Sequence, residues 1–277
     1  MLALTRRNLT YLAPLTAVFL ASCVSQPQGR MTIGPAMLNV ARTALEGGSP
    51  QMAINVTSAI LKSDPHDVEA LIDRGDAYYE MGDCREALLD YHRALTYSKS
   101  AAGAQIGIGR CSMTRNPQVA VSAFVQATKD NPRDPVAFND LGVAEDEVGN
   151  IQKANAAFKQ ALMIKPSMKA AEVNLGFSLA IGGQPARAQR ILAPLAEAPD
   201  ATIKIREDYA AALAIGGKTA QARNILQTSM TPGQADTMIA QFQSMASSID
   251  ASHAEASVAA GADAVESAAQ GTSEKKN

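Results

Sequence analysis

The side chains that could act as a nucleophile, a general base or a metal ligand are few and scattered in this chain. They are three histidines and three cysteines, His66, His92, His253, Cys23, Cys84 and Cys111. None of them forms a cysteine pair at zinc spacing, and the chain has neither a phosphate-binding Walker loop nor a dinucleotide-binding glycine pattern. The sequence therefore predicts no enzyme, metal site, cofactor or small-molecule substrate. A net charge of -2 also argues against nucleic acid as a partner.

Cys23 stands in the one local motif that specifies a chemical modification. Arg6 and Arg7 precede a short, mostly apolar run over residues 9–20, and Leu20-Ala21-Ser22-Cys23 follows directly. The run is too short to span a bilayer and has the features of a cleaved export signal. Leu-Ala-Ser-Cys resembles the bacterial lipobox, which implies that Cys23 is acylated and becomes the new amino terminus. An ordinary secretion signal followed by a chance cysteine is the alternative.

The resemblance divides the amino-terminal region into a signal peptide over residues 1–22 and a lipidated, flexible tether over residues 23–32. Val24, rather than Asp, follows the cysteine, and under enterobacterial sorting rules this implies the periplasmic side of the outer membrane. Arg6-Arg7 also leaves twin-arginine export open as an alternative to the general secretory route.

Small residues at a fixed interval organise most of the remaining chain. Six alanines follow one another at intervals of 34, 33, 34, 34 and 34 residues, namely Ala53, Ala87, Ala120, Ala154, Ala188 and Ala222. A second series, expected to face them from the preceding helix, is Gly75, Gly107, Gly142, Gly176 and Ala210. With the Leu-Gly, Ala-x3-Phe and Pro pattern of residues 141–166, this period resembles the tetratricopeptide repeat (TPR), a pair of antiparallel helices.

The resemblance implies an all-α, right-handed TPR solenoid of about six helix-turn-helix repeats over residues 33–230. In repeat three the turn containing Asn116-Pro117 is expected to be one residue longer than in the others. Apolar residues at helical spacing predict a capping helix over residues 231–247, for which partner binding is the alternative. Residues 248–277, rich in Ala and Ser, are predicted to be a disordered tail.

The register also places the two remaining cysteines near each other. Cys84 begins the second helix of repeat two, and Cys111 lies late in the first helix of repeat three. Antiparallel packing would bring these ends together, which predicts a disulfide in an oxidising compartment. Two separate buried thiols are the alternative.

In TPR solenoids the first helices line a concave groove that receives a peptide or helix. Carrying those positions over gives Glu69, Ile72, Asp76, Tyr79, Glu80, Asn139, Val143, Asp146, Glu147, Val173, Phe177 and Ile181, with Ala180, Lys204, Glu207 and Ala211 continuing the surface. This surface is acidic in repeats two and four and apolar in repeat five, which favours a partner segment with basic residues and an apolar anchor. The alternative is that these carboxylates only solvate exposed faces.

The span from Pro132 to Met245 resembles a narrower family, the TadD lipoproteins of the tight-adherence (Tad/Flp) pilus. The residues that carry the likeness are 141–149 (LGVAEDEVG), 174–180 (NLGFSLA), 192–196 (LAPLA), 208–214 (DYAAALA) and Thr231-Pro232. The resemblance implies an outer-membrane adaptor that binds the pilus secretin or other Tad machinery. A lipoprotein of another envelope machine, such as a type IV pilotin or a barrel-assembly accessory, and a scaffold for a periplasmic cell-wall enzyme are the alternatives.

Overall fold

The computed structural model describes residues 33–249, and the described chain consists of helices without strands. Cys23, the signal, the tether, His253 and residues 250–277 lie outside this range. The helices form six consecutive hairpins followed by one further helix. Their bounds are α1 Ile33–Glu46, α2 Pro50–Ser63, α3 Val68–Glu80, α4 Cys84–Tyr97, α5 Ala102–Ser112, α6 Pro117–Asp130, α7 Pro135–Glu147, α8 Ile151–Ile164, α9 Lys169–Ile181, α10 Pro185–Glu197, α11 Ile203–Ile215, α12 Thr219–Leu226 and α13 232–249.

Local sequence explains where several of these helices begin. The Asp67 carboxylate accepts a hydrogen bond from the Ala70 N–H at the start of α3, and Asp83 does the same for Glu86 in α4. Such caps satisfy backbone donors that have no partner within the helix. Proline opens four other helices, where its fixed φ and missing N–H cost nothing: Pro50, Pro117, Pro135 and Pro185.

The turns inside the hairpins share one backbone conformation, except in repeat three. Glycines with φ between 69° and 80° follow five of the six first helices, namely Gly48, Gly82, Gly149, Gly183 and Gly217. In repeat two, the Asp83 N–H bonds back to the Tyr78 carbonyl at 2.8 Å, which closes the helix end around this glycine. Because side chains disfavour this φ, the conformation requires glycine.

Repeat three reaches its second helix by a different route. Its first helix has 11 residues, where α3 and α7 have 13. The connection covers residues 113–116, one residue longer than in repeat two, and contains no positive-φ glycine. The longer turn agrees with expectation, but the hairpin as a whole is one residue shorter, which accounts for the 33-residue interval.

Close contact within each hairpin depends on the small residues. The six periodic alanines are all 0% exposed. A Cβ on Gly142 would lie 2.6 Å from Phe158 Cδ1, and one on Gly176 would lie 2.6 Å from Leu192 Cγ. Since both partners are fully buried, a larger residue would force the helices apart.

The assignment of Gly107 to this series was wrong. Gly109, the eighth residue of α5, holds the equivalent place, and a Cβ there would lie 2.6 Å from Phe124 Cζ. Gly107 instead contacts the ring of Tyr91 from the preceding repeat. Tyr91 is also packed against Gly75, so its ring is held between glycines of two successive first helices.

The pattern of helix contacts sets the curvature of the solenoid. Successive first helices contact one another along the whole stack, from α1 to α11, whereas none of the second helices α2 to α12 contacts another second helix. The first helices therefore line the concave side and the second helices form the convex side. The last helix covers repeat six, where Ala235 and Ile239 pack against Leu213 and Leu226. Within residues 33–249, no helix is both long and apolar enough to cross a bilayer.

Candidate functional site

The predicted groove residues occupy matching positions on the concave side. In α3 they are the second, fifth, ninth, twelfth and thirteenth residues, and the positions recur in α7 and α9. Glu69, Glu80 and Glu147 are exposed. Those that are half-buried, as expected of a surface that a partner could cover, are Ile72, Asp76, Tyr79, Val143, Asp146 and Phe177.

Five of the positions predicted for this surface are buried and therefore do not form open surface: Asn139, Val173, Ala180, Ile181 and Ala211. Asn139 accepts a hydrogen bond from Asn174 Nδ2 at 3.0 Å and is 8% exposed. Val173 and Ile181 are buried because α9 packs directly against α11. The apolar part of the accessible groove is therefore smaller than the sequence indicated, and the half-buried Phe177 is its main apolar side chain in repeat five.

Two arginines belong to the same surface and were not among the predicted residues. Arg42 Nη2 lies 2.9 Å from Glu69 Oε2, and Arg110 Nε lies 2.8 Å from Asp140 Oδ2. Arg42 lies 34 residues before Asp76, and Arg110 lies 34 residues after it. The repeat register therefore predicts that both arginines lie on the same surface as Asp76. Arg42 offsets the charge expected at Glu69. Burial raises the pKa of Asp76, and Arg110, besides pairing with Asp140, lowers the pKa of Asp76 through its charge.

Tyr79 and Arg110 form the centre of the recessed part of the groove. A cavity of about 220 Å³ is lined by Leu45, Asp76, Tyr79, Glu80 and Arg110. A second cavity, of about 670 Å³, shares Tyr79 and Arg110 and extends to the loop of repeat three. A partner side chain entering here would meet an aromatic ring, a guanidinium group and two carboxylates.

The carboxylate of Asp76 is tied to the packing of the hairpin behind it. The hydroxyl of Tyr91 donates a hydrogen bond to Asp76 Oδ1 at 2.7 Å. Burial raises the pKa of Asp76, while the Tyr91 hydroxyl and the charge of Arg110 oppose this rise. Asp76 is thus a positioned acceptor, because its side chain is held from one side and open to the cavity on the other.

A second positioned carboxylate lies further along the groove. Asp146 Oδ1 accepts a hydrogen bond from Ser178 Oγ at 2.7 Å. Burial raises the pKa of Asp146 to about 7, against the hydrogen bond from Ser178, and the charge of Glu147 adds to the rise. Beyond it, Lys204 Nζ lies 5.2 Å from the centre of the Phe177 ring and also contacts Asp208. The far end of the groove therefore presents an aromatic ring partly covered by a cation.

The remaining chemically distinctive side chains lie outside the groove or at its edge. Cys84 and Cys111 form a disulfide, with Cα atoms 5.5 Å apart, at the edge of the larger cavity. The rings of His66 and Tyr97 are in contact at a tilt of 58°, with their centres 4.6 Å apart, and His92 is exposed on α4. In the described part of the chain, no group of three or more His, Cys, Asp or Glu side chains is placed to hold a metal ion. The arrangement can bind a polypeptide by hydrogen bonds, charge and an aromatic contact.

Comparison with known proteins assigns this architecture to a class. The sequence profile of the tetratricopeptide repeat matches residues 72–115 and 114–171, so this span consists of TPR repeats. Together with the helix stack, the match defines the fold as a TPR solenoid, of the type that typically serves as a non-enzymatic scaffold for protein interactions. A comparison with curated proteins finds no match.

Several solved structures have the same fold. A thermophilic TPR protein from Thermus thermophilus is 21% identical, with 65% of this chain and 98% of that chain covered at a TM-score of 0.54. YrrB, described as a TPR protein with an unusual peptide-binding site, is 17% identical, with 67% and 96% covered and the same TM-score of 0.54. A TPR protein from Parabacteroides merdae is 16% identical, with 80% and 86% covered, also at 0.54. At these identities the likeness concerns the fold alone.

Proposed function

We propose that this protein is a lipid-anchored adaptor of the outer membrane that takes part in Tad/Flp pilus assembly. Its concave groove binds a segment of the pilus secretin or of another component of that machinery. The observation that carries the binding role is the recessed surface around Tyr79 and Arg110, where two cavities meet and a positioned carboxylate, Asp76, is available. The narrower pilus assignment depends on the TadD-like residues between Pro132 and Met245 and on the lipobox at Cys23.

The physical advantage of such an adaptor is local concentration. Acyl chains at Cys23 hold the solenoid at the membrane, and at least two chains give a stable anchor. A partner in the same membrane then meets the groove at a high effective concentration without any new contact. YrrB is described as having a peptide-binding site. This supports our proposal that the ligand of the groove in this chain is a peptide segment.

Crosslinking in membranes tests both the site and the partner. A photo-crosslinking amino acid replaces Tyr79 in the groove, and a matched variant carries it at Tyr97, an exposed tyrosine that lies on a second helix. The expected result is capture of the pilus secretin or another Tad component from position 79 and not from position 97. Capture of a barrel-assembly protein or a cell-wall enzyme from position 79 would overturn the pilus assignment, and equal capture from both positions would overturn the groove.

Alanine substitutions measure how much the groove contributes. Tyr79→Ala and Phe177→Ala should each weaken binding of the captured partner, because each removes a half-buried aromatic side chain from the contact surface. Tyr97→Ala serves as the control. Unchanged binding in both groove variants would refute the assignment. The anchor is tested separately by Cys23→Ser, which should release the protein from membranes washed in about 0.5 M salt, because salt also screens contacts between basic residues and lipid.

A further inference from the structure

Basic side chains of repeats four to six gather on the second helices. α8 carries Lys153 and Lys159 and no acidic residue, while α10 carries Arg187 and Arg190, with Glu197 at its last position. Lys165 follows α8 directly, and Lys218 directly precedes α12. All six basic residues are exposed, and together they define the convex basic face: Lys153, Lys159, Lys165, Arg187, Arg190 and Lys218.

Among the ion pairs of the described residues, none involves a member of the convex basic face. Lys218 Nζ donates to the neutral amide of Gln189 at 2.7 Å, and Arg187 donates to Gln184. By contrast, the concave cations Arg42 and Arg110 each contact a carboxylate. The positive charge of the convex basic face is therefore not compensated within the solenoid, and it is available to a ligand.

The repeat register places two of these charges at equivalent points of neighbouring second helices. Lys153 and Arg187 are each the third residue of their helix, 34 residues apart, so they occupy equivalent points on neighbouring repeats. Arg190 lies one helical turn beyond Arg187 on the same side. The second helices form the convex side of the stack, so the charges are spread over a broad surface instead of converging on a pocket.

A large apolar side chain stands within this surface. Met163, in the last turn of α8, is 74% exposed. It lies four residues after Lys159, which places the two side chains next to each other on the helix, and two residues before Lys165. Lysines beside an exposed apolar side chain are a combination that suits the boundary between lipid headgroups and acyl chains.

We propose that the convex basic face docks onto a membrane surface that contains anionic phospholipid. A spread of unpaired cations with one protruding methionine matches an extended anionic surface. Each basic residue near such a surface strengthens binding by roughly fivefold. Docking in this orientation turns the concave groove away from the lipid and leaves it open to a partner. The proposal goes beyond the proposed function and does not require the acyl anchor.

The chain contains no tryptophan, so a single introduced tryptophan reports on its own environment. The full chain carrying Met163→Trp is mixed with vesicles of phosphatidylcholine alone or with added phosphatidylglycerol. We expect the emission to shift to the blue only with phosphatidylglycerol and the shift to disappear in about 0.5 M salt, because salt screens charge. Met52→Trp is the control, since Met52 is 54% exposed and also lies on a second helix, α2 of repeat one, outside the convex basic face. It should show no shift that depends on phosphatidylglycerol.

Charge substitutions in the Met163→Trp chain test which residues act. Replacing Lys153, Arg187 and Arg190 by glutamine should weaken binding to phosphatidylglycerol vesicles by roughly a hundredfold. The control replaces three exposed basic residues outside the face, Lys62, Lys99 and Arg133, by glutamine and should leave binding within about twofold of the parent chain. Circular dichroism checks that both triple variants remain folded.

Three outcomes would overturn the proposal. They are no shift with phosphatidylglycerol, an equal shift with phosphatidylcholine alone, and an equal loss of binding in the two triple variants. The absence of a shift with phosphatidylglycerol would point to an acidic protein, instead of lipid, as the ligand of this face. Association with phosphatidylcholine vesicles through an acyl chain is a separate measurement, so failure of the anchor and failure of the face are distinguishable.

Discussion

Substitution of Gly142 by alanine tests whether close helix contact is what the repeat period encodes. Gly142 is the eighth residue of α7, and a Cβ there would lie 2.6 Å from Phe158 Cδ1 and 2.8 Å from Cζ. Phe158 is 0% exposed, so its ring is enclosed by other protein atoms and can move only against them. Overpacking of this kind costs about 1–3 kcal/mol. Because three ring carbons of Phe158 would lie within 2.8 Å of the new Cβ, we expect the upper part of this range, about 2–3 kcal/mol. Alanine favours the helix over glycine by about 1 kcal/mol, so the expected net destabilisation is about 1–2 kcal/mol.

Three further variants separate the contact from the general effect of alanine: Gly233→Ala, Phe158→Leu, and Gly142→Ala combined with Phe158→Leu. A Cβ on Gly233, near the start of α13, would meet nothing within 4 Å, so Gly233→Ala should be neutral or slightly stabilising. Repeat six already combines Ala210 with Leu226 at the equivalent positions. Adding Phe158→Leu to Gly142→Ala should therefore recover part of the loss, and the double-mutant cycle should show a favourable coupling of about 1 kcal/mol.

The measurement is urea unfolding at 25 °C, followed by circular dichroism, for the parent chain and all four variants. Because each repeat contacts only its neighbours, the transition is compared in midpoint and in slope, so that a loss of cooperativity is detected. If Gly142→Ala is as stable as the parent chain while Gly233→Ala behaves as expected, the contact with Phe158 does not explain the glycine. A coupling near zero would likewise refute the rescue argument.

Three other predictions concern bonds within the solenoid. The disulfide closes a loop between residues with a sequence separation of 27. Removing it by Cys84→Ser with Cys111→Ser should lower the free energy of unfolding by about 3–4 kcal/mol. In the parent chain, mass spectrometry without reduction should detect no free thiol at either cysteine. The folded pKa of Asp146, about 7, lies above its ordinary value of 3.8, so the folded state binds the proton more tightly and the free energy of unfolding falls as pH rises between these values. Asp146→Asn should therefore stabilise the protein more at pH 8 than at pH 5. A stability difference that does not depend on pH would contradict this. Arg74 and Asp90 form a largely buried ion pair at 2.7 Å. Asp90→Ala leaves the Arg74 charge without this partner and should lower the free energy of unfolding by about 3–5 kcal/mol, whereas replacing both residues by apolar ones should lower it much less. Thermal and urea unfolding measure both effects.

Most of the helix stack could be derived from the sequence because close packing restricts residue size at fixed intervals. The alanine series identifies all six second helices, since each alanine lies at a contact where a larger side chain does not fit. Aspartate caps and first-turn prolines then give the helix starts to within a residue or two. The acylation of Cys23 stays a prediction because Cys23 lies outside the described residues. The likeness to TadD lipoproteins stays a prediction because the comparisons show the TPR repeat alone.

The choice between Gly107 and Gly109 shows where such reasoning fails. Both are small, and the shortened hairpin of repeat three shifts the register between its helices by one residue. The correct pairing follows only from the position of the Phe124 ring, and Gly107 turned out to accommodate Tyr91 of the preceding repeat. Spacing within a repeat cannot reveal a contact that depends on how two repeats are stacked.

The sequence by itself determined the repeat register, the helical hairpins and the positions that point into the concave groove, because these follow from side-chain size and spacing along one chain. Tertiary structure alone decided which of those positions stay accessible. Val173 and Ile181 are buried because α9 packs on α11, while Arg42 and Arg110 offset charges that belong to other repeats. The physical reason is that accessibility and charge compensation depend on distances between repeats, and these are set by the curvature of the stack.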